Sequence, residues 1–366
     1  MKAATIRDVA RHAEVSVASV SRVVNGVGAV NESTRQRVLQ AIDLLRYVPH
    51  SGARSLSTSR TETVGVILPD LFGEFFSELI RGMDVAARAH GLHLIVSSSH
   101  DDADEAASAI RSMRGRVDGM IVLSPHMDAA SLTASLAGRT PVLLMNGGAT
   151  DADRPSIMID NRFGAITAVE HLLALGRRRI AHISGPSGNM EAEDRLSGYV
   201  EGLTGTGLVP RVLDGDFTQG SGYRAVARML ATGERPDAIF AGNDMMAVGA
   251  LLALQEAGVR CPEDVAVVGF DDVPIAELVR PALTTLRIDI AGTGKRAMER
   301  LVSLIRTAGD PTATPDVAGE IVRPTLVVRG STASGPGTTE IQFRSLPAEA
   351  KPTAPGKILL GGNQDV

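Results

Sequence analysis

The sequence predicts an all-α head over residues 1–49, followed by an α/β body made of two doubly wound parallel-sheet lobes. In the head, apolar residues recur at helical spacing over three short segments. From Thr63 onward, short continuous apolar runs alternate with helix-length segments, which is typical of parallel strands covered on both faces. Charge divides the chain at the same place: residues 1–60 carry nine basic and four acidic side chains, which leaves 28 basic and 38 acidic ones for residues 61–366.

Three helices are predicted in the head from their caps and apolar stripes. Thr5, with an acid three positions later, is typical of a capping box, and Ser16 and Asn31 are expected to cap the next two helices. Asn25-Gly26 is expected to end the second helix in a left-handed turn. The apolar positions that share one face of each helix are Ile6, Val9 and Ala10; Val20, Val23 and Val24; and Val38, Ala41, Ile42 and Leu45. This pattern predicts a helix-turn-helix, although a plain three-helix bundle fits the same periodicity.

The second helix presents small side chains and one arginine outward, which suits reading of the major groove of DNA. Val17 and Ala18 let the backbone approach base edges and meet thymine methyl groups, and Arg22 has the geometry to bind guanine O6 and N7. Ser16 and Ser19 suit phosphate contacts, which position a protein without specifying sequence. A basic head on an acidic body fits a polyanion-binding module, although charge alone leaves a merely solvated basic surface open.

Two series of strands predict lobes over residues 62–160 and 161–290. Sheets of this kind bind ligands beyond the carboxyl ends of their strands. The residues expected at those ends are polar or acidic and include no lysine: Asp70, Ser97–Ser99, Ser124, Asn146, Asp160, Asn243, Asp244, Asp271 and Asp272. Such groups match sugar hydroxyls, and Phe72, Phe75 and Phe76, at the first strand–helix junction, offer rings on which a sugar face stacks. The ligand class predicted is therefore a sugar.

Several of these residues have plainer interpretations. Phe76 shares a helical stripe with apolar residues of its own helix, so that a core role fits it as well as a ligand role. Phe72 and Phe75 are expected to face the cleft. Asn243 and Asp271 are also placed to cap a helix or a strand end instead of contacting a ligand.

The chain resembles the LacI/GalR family of bacterial transcriptional regulators over about residues 4–330. The resemblance is carried by TIRDVARHAEVSVASVSRVVNG, VNESTRQRVLQAIDLLRYVPHSGARSLSTSRTETVGVILPD, GYVEGL, FAGNDMMAVGAL, EDVAVVGFDD and RPALTTLRID. It implies a periplasmic-binding-protein-like body, in which residues 62–160 and 291–320 form lobe 1 and residues 161–290 and 321–330 form lobe 2. It also implies a repressor of carbohydrate-utilisation genes that binds a palindromic double-stranded operator and is released by a mono- or oligosaccharide, although the residues themselves leave induction and co-repression open. A homodimer is expected, because one helix-turn-helix contacts only a few base pairs.

The resemblance further implies a hinge over residues 50–61 and particular contact residues. Pro49 is expected to end the third helix. Residues 50–57 then fold on DNA and Leu56 wedges into the minor groove, whereas Gly52 departs from the pattern and costs on the order of 1 kcal/mol of helix stability. The DNA-contacting residues that we expect are Thr5, Ser16, Val17, Ala18, Ser19, Ser21, Arg22, Asn25, Arg54 and Leu56. The effector contacts that we expect are Phe72, Phe75, Phe76, Ser124, Arg195, Phe217, Asn243 and Asp271. Arg195 and Asp271 are expected on opposite sides of a polyol.

Other classes of protein are disfavoured by the sequence. No catalytic motif, metal-ligand spacing or cofactor fingerprint is found, and the single cysteine, Cys261, excludes an internal disulfide framework. No apolar run is long enough for a membrane span and no secretory signal is recognised, so we expect a cytoplasmic protein that joins the nucleoid when bound to DNA. Residues 331–366, rich in Gly, Pro, Ser and Thr, are expected to form a flexible tail. A periplasmic-type solute-binding protein and a sugar-converting enzyme remain the alternatives.

Overall fold

The computed structural model describes residues 4–25, 29–47, 60–127, 129–136, 138, 140–146, 154–308, 318–333 and 339–341. The predictions for Gly26, Gly52, Arg54 and Leu56 lie outside these residues. Within the described ranges, no helix is both long enough and apolar enough to cross a membrane.

The head is a three-helix bundle with a small valine core. Its helices are α1 Ile6–His12, α2 Val17–Asn25 and α3 Glu32–Leu45. The capping box at Thr5 forms as predicted, and Ser16 and Asn31 accept hydrogen bonds from backbone N–H groups in the first turns of α2 and α3. The residues buried at the centre are Val9, Ala10, Ala13, Val20, Val23, Val38, Ala41 and Tyr47. The predicted stripes therefore do face one core.

Two left-handed residues end the first and third helices. Glu14, with φ of 53°, makes the tight turn between α1 and α2. Arg46, with φ of 46°, ends α3, and the N–H of Tyr47 donates to the carbonyl of Ile42 at 3.0 Å. An end of this helix at Pro49 was expected, which is wrong, because the left-handed turn at Arg46 already sends Tyr47 into the core.

Lobe 1 is a six-stranded, wholly parallel sheet in the order β11-β5-β4-β3-β1-β2. Its strands are β1 Thr63–Leu68, β2 His93–Ser98, β3 Gly119–Leu123, β4 Val142–Met145, β5 Ser156–Ile159 and β11 Gly319–Val322. Its helices are α4 Glu74–Ala89, α5 Ala103–Met113, α6 Ala129–Ser135 and α12 Ile290–Thr307. Helices α4 and α12 approach closely at Gly82, where a Cβ atom would lie 1.9 Å from the carbonyl oxygen of Ala291.

Lobe 2 is a four-stranded parallel sheet in the order β7-β6-β8-β9. Its strands are β6 Ile180–Ile183, β7 Arg211–Leu213, β8 Ala238–Ala241 and β9 Ala266–Val268. Its helices are α7 Asn161–Ala174, α8 Met190–Gly202, α9 Gln219–Ala231, α10 Asp244–Glu256 and the short α11 Ile275–Leu278. The central strands of both sheets are buried, in agreement with the doubly wound architecture that the apolar runs predict.

The crossover between the lobes is a small antiparallel sheet, in which β12 lies between β10 and β13. These strands are β10 Thr285–Arg287, β12 Thr325–Val328 and β13 Thr339–Ile341. Ile321 and Val322 belong to β11 and pair with β5 of lobe 1. Their predicted assignment to lobe 2 is therefore wrong, because the chain leaves the sheet of lobe 1 only at Pro324, which has no N–H to continue a strand ladder.

The predicted flexible tail starts too early. Ser331 and Thr332 are buried, and the Ser331 hydroxyl donates to the carbonyl of Val267 at 2.6 Å while it accepts from the N–H of Thr284 at 2.8 Å. Residues 339–341 then form β13. The composition of the segment suggested mobility, but its small hydroxyl side chains satisfy backbone groups of lobe 2.

Candidate DNA interface and effector site

The outward face of α2 combines small residues with one arginine. Val17, Ala18 and Arg22 are exposed, and the Val17 side chain retains 42% of its accessible surface. Ser16 is exposed and Ser19 and Ser21 are half-buried. Within the described ranges, no hydrogen bond or ion pair engages Arg22. An exposed arginine beside small side chains on a short, well-capped helix is suited to enter a DNA groove.

The remaining head residues expected at DNA also have local roles. The Thr5 hydroxyl donates to the Asp8 carboxylate at 2.7 Å in the capping box, and Thr5 stays exposed. Ser16 Oγ lies 2.9 Å from Ser19 Oγ, and the Asn25 amide donates to Ser21 Oγ at 3.2 Å. These contacts fix the ends of α1 and α2, so that the outward side chains are held on a rigid helix.

A cleft between the lobes collects most of the predicted effector residues. An inner cavity of about 70 Å³ is lined by Phe75, Phe76, Glu191, Arg195, Phe217, Asn243 and Asp271. An outer cavity of about 100 Å³ shares most of these residues and adds Phe72 and the acids Asp70, Asp101 and Asp216. Ser124 is buried immediately after β3 and lines neither cavity.

The aromatic residues lie at the amino end of α4 and in the loop before it. Phe75 and Phe76 are half-buried and meet edge to face, with ring centroids 5.3 Å apart. Both also pack against the core of lobe 1, so that the core role expected for Phe76 and a place at the cavity occur together. Phe72 is 69% exposed at the rim of the outer cavity. It offers an apolar surface at the entrance.

Arg195 occupies the floor of the cleft and is almost fully buried. Its Nε donates to Asn161 Oδ1 at 2.8 Å, and its Nη1 donates to the carbonyl of Gly242. Its guanidinium lies 3.9 Å from the centroid of the Phe270 ring, and its Nη2 donates to Asp271 Oδ1 at 3.5 Å. We expected Arg195 and Asp271 on opposite sides of the cleft. That expectation is wrong for this structure, because the two side chains pair directly.

Asp271 is a strained and buried carboxyl group. Its backbone has φ of 108°, in a region that favours glycine. Burial is the main cause that raises the pKa of its carboxyl to about 7; the positive charge of Arg195 opposes this rise, and the negative charge of Glu191 contributes to it. The carboxyl group of the neighbouring Asp244 is fully buried as well, and its pKa is raised well above its usual value by burial and by Asp271.

Asn243 holds the loop on which Phe217 lies. Its Oδ1 accepts from the N–H of Met246 at 2.9 Å and so caps α10, which confirms the plainer interpretation of this residue. Its Nδ2 donates to the carbonyl of Phe217 at 3.0 Å, and Phe217 has φ of 65°. The non-glycine residues with positive φ near the carboxyl ends of the strands are His100, Asp101, Asn146, Phe217, Asp271 and Asp272. Strained backbone of this kind clusters at ligand clamps.

Two features of the cleft were missed in the sequence. Glu191 lines both cavities, and its spacing of four residues from Arg195 in α8 was a usable signal, since residues i and i+4 share a helix face. The second feature is a set of contacts between the lobes. Glu74 Oε2 accepts from the N–H of Ile275 at 2.8 Å, and Asn189 Nδ2 lies 3.4 Å from the ring of His126. No local pattern indicates such distant partners.

The described residues contain no group of three or more potential ligands that could hold a metal ion. The residues that line the cleft offer hydrogen-bonding groups, charges and aromatic rings.

Comparison with known proteins assigns both parts of the chain. Residues 5–50 match the family model "Bacterial regulatory proteins, lacI family", and residues 169–332 match "Periplasmic binding protein-like domain". The chain is 37% identical to Catabolite control protein A of Priestia megaterium, over 81% of this chain and 91% of that protein. It is 35% identical to the HTH-type transcriptional repressor PurR of Erwinia tasmaniensis, over 91% and 98% of the two chains.

Solved structures agree with this assignment. The lac repressor dimer bound to operator and the anti-inducer ONPF superposes with a TM-score of 0.80 at 30% identity, over 91% of this chain and all of that one. The transcriptional regulator CelR in complex with cellobiose superposes with a TM-score of 0.66 at 32% identity, over 90% and 99% of the chains. The chain belongs to the lacI family of bacterial regulatory proteins and is a ligand-responsive, DNA-binding transcriptional repressor, not an enzyme.

Proposed function

We propose that the protein is a cytoplasmic homodimer that represses carbohydrate-utilisation genes from a palindromic operator and is released when a mono- or oligosaccharide binds between its lobes. The observation that supports this best is the cleft: aromatic rings from lobe 1 face carboxylates and amides from lobe 2 across a junction with strained backbone. Rings stack on sugar faces, and carboxylates and amides accept and donate in the pairs that hydroxyls need.

In the proposed complex, α2 enters the major groove. Val17 and Ala18 then approach the base edges and Arg22 binds guanine, while Ser16 and Ser19 contact phosphates. Thr5, Ser21 and Asn25 support this contact from the ends of the helices, and Arg54 and Leu56 belong to the proposed hinge contact with the minor groove. Two copies are proposed because one helix-turn-helix covers few base pairs, and the lac repressor structure is a dimer on its operator.

The proposed switch is a change in how the lobes close. Both cavities are smaller than the roughly 300 Å³ at which typical ligand pockets begin, so a sugar enters only if the lobes separate or Arg195 moves. The contacts of Glu74 with Ile275 and of Asn189 with His126 would break or shift in that movement. A coupling of about 5–150-fold between sugar and operator affinity is enough for such control.

The DNA part of the proposal is tested by selecting preferred duplexes with the full-length protein and measuring binding at fixed salt. Arg22→Ala should lower the affinity for the selected duplex about 5–150-fold and relax the base preference at one position of each half-site. Arg37→Ala, which removes the same charge from the exposed surface of α3, should leave the base preference unchanged. Equal base preference in wild type and Arg22→Ala would contradict the proposed contact.

The effector part is tested on the same protein–operator complex by titration with neutral sugars, amino sugars and disaccharides. At least one sugar should lower operator affinity by about fivefold or more. A panel in which every sugar binds without changing operator affinity would refute release by sugar.

A further inference from the structure

Glu191 is the one acidic residue of the cleft with a carboxylate oxygen that is both buried and without a hydrogen-bond partner within the described residues. Its Oε1 is shielded from solvent and has no hydrogen-bond partner, although the side chain as a whole is half-buried. Glu191 lies in the first turn of α8 and lines both the inner and the outer cavity. A shielded, unsatisfied carboxylate oxygen is costly, so its presence at a ligand cavity needs an explanation.

The other acids of the cleft are already engaged. Six carboxyl groups line the two cavities: Asp70, Glu74, Asp101, Glu191, Asp216 and Asp271. Asp70 and Glu74 accept from backbone N–H groups, Asp101 pairs with His126, and Asp216 accepts from Thr218. Asp271 pairs with Arg195. Among these six groups in the described residues, only Glu191 has a carboxylate oxygen that is shielded from solvent and lacks a hydrogen-bond partner.

Positive charge in the cleft does not satisfy Glu191. Arg195 is the only cation among the described residues that line the cavities, and its donors are directed to Asn161, Gly242 and Asp271. Burial raises the pKa of Glu191, while Arg195 and the amide of Asn146 oppose the rise. The Asn146 Nδ2 atom nevertheless has no partner at hydrogen-bond geometry either. The described lining of the two cavities therefore contains six carboxyl groups and one arginine.

We propose that Glu191 selects an effector with an amino group, so that the cleft takes an amino sugar in preference to the matching neutral sugar and rejects a phosphorylated one. The inference rests on the proposed sugar-responsive function. An ammonium group placed at Oε1 forms a charge-assisted hydrogen bond, which is about twice as strong as the neutral bond that a hydroxyl would form. A phosphate would instead lie among six carboxyl groups and one arginine whose donors are already engaged.

The test measures binding of three matched probes, glucosamine, glucose and glucose 6-phosphate, together with the corresponding galactose series, to the full-length protein by titration calorimetry. In the wild type, the amino sugar of at least one series should bind about tenfold or more tighter than the neutral sugar, and the phosphate should bind weakest. Glu191→Gln should reduce the preference for the amine to about twofold or less. Glu193→Gln, an exposed neighbour on the same helix, is the matched control and should keep the preference.

Thermal unfolding of the free protein gives a second readout. Glu191→Gln should raise the Tm, because it removes a shielded carboxylate without a partner, and Glu193→Gln should not. A lower Tm for Glu191→Gln would assign the residue to the fold and overturn the inference. Neutral or phosphorylated sugars that bind as tightly as the amines would overturn it as well, while leaving the sugar-responsive function intact. If no sugar of any series binds, that function fails and the inference fails with it.

Discussion

His182 should make the stability of the protein fall as the solution is acidified. The side chain is completely buried in β6, where its ring stacks between Tyr199 and Phe240 with centroids 5.1 and 4.8 Å away. Its Nδ1 lies 3.0 Å from the carbonyl of Phe240, and its Nε2 has no partner among the described residues. Burial is the main cause that lowers the pKa of His182 to about 4. The folded state therefore holds the ring neutral, and the unfolded state gains a proton first as the pH falls below about 6.5.

The size of this effect follows from the two pKa values. Above about pH 6.5 the ring is neutral in both states, so the full stability is present, and stability is lost as the pH falls toward about 4. Between about pH 7.5 and about pH 5, one such histidine lowers the free energy of unfolding by on the order of 2 kcal/mol. His171, whose pKa burial also lowers to about 4, adds a loss of the same sign.

Urea unfolding at the two pH values isolates the contribution of His182. His182→Phe keeps an aromatic ring in the stack and removes the titrating group, so the difference in the free energy of unfolding between the two pH values should shrink by about 2 kcal/mol. Comparing each variant with itself at two pH values cancels the change in packing and the lost hydrogen bond. His93→Phe, at an exposed position, is the control and should leave the pH difference in place. A His182→Phe protein with an unchanged pH difference would refute the reasoning.

Three further substitutions test the packing and the loops that position the cleft. Gly82→Ala should destabilise the body by about 1–3 kcal/mol or more in urea unfolding, because the new methyl group collides with the carbonyl of Ala291; a cost below about 0.5 kcal/mol would show that α4 and α12 can separate freely. Ser331→Ala should lower the free energy of unfolding by about 1–3 kcal/mol, because it leaves a buried N–H and a buried carbonyl without their partner. An unchanged unfolding midpoint would show that Ser331 belongs to a flexible tail. Asn243→Ala should lower the free energy of unfolding by about 1 kcal/mol, because α10 loses its cap. It should also weaken effector binding, because the loop that carries Phe217 loses a hydrogen bond. An effector affinity equal to that of the wild type in calorimetry would show that other contacts hold this loop.

The head could be predicted almost entirely because its signals are local. Caps lie within three residues of the helix ends that they stabilise, and the valine stripe repeats within single helices. The incorrect prediction of the end of α3 shows the limit of such local signals. Pro49 forbids a helix at its own position, but the actual end depends on Tyr47 joining a core that α1 and α2 build.

The body was predicted less well wherever distant strands meet. The alternation of strands and helices is local and gave the two lobes, yet the pairing of β11 with β5 joins residues more than a hundred positions apart. Ser331 is similar, because only its hydrogen bonds to Thr284 and Val267 distinguish it from a mobile serine. The composition of a segment does not show which distant residues it will contact. In both of these cases such contacts determine the structure of the segment.

The effector site shows the same limit at the level of single side chains. The resemblance led to Arg195, Asn243 and Asp271, but it carried no information on which of them bind each other. Burial decides this: a guanidinium with 4% exposure must be paired, and Asp271 is the nearest carboxylate. Glu191 was overlooked because its neighbourhood, rich in acids, looks like an ordinary solvated helix start until the structure shows its Oε1 shielded from water.

The pair Asp271-Asp272 joins the effector cleft to the crossover between the lobes. Asp271 faces Arg195, whereas Asp272 binds Arg287 of β10 at 2.6 Å and Arg329, just after β12, also at 2.6 Å. Both aspartates have positive φ, so their backbone has few alternative conformations that keep both pairs intact. We infer that a ligand that draws Asp271 away from Arg195 also moves the anchor of the two crossover strands. A buried charge pair of this kind stabilises little by itself, but it allows few geometries, and that restriction is what a two-state hinge between lobes requires.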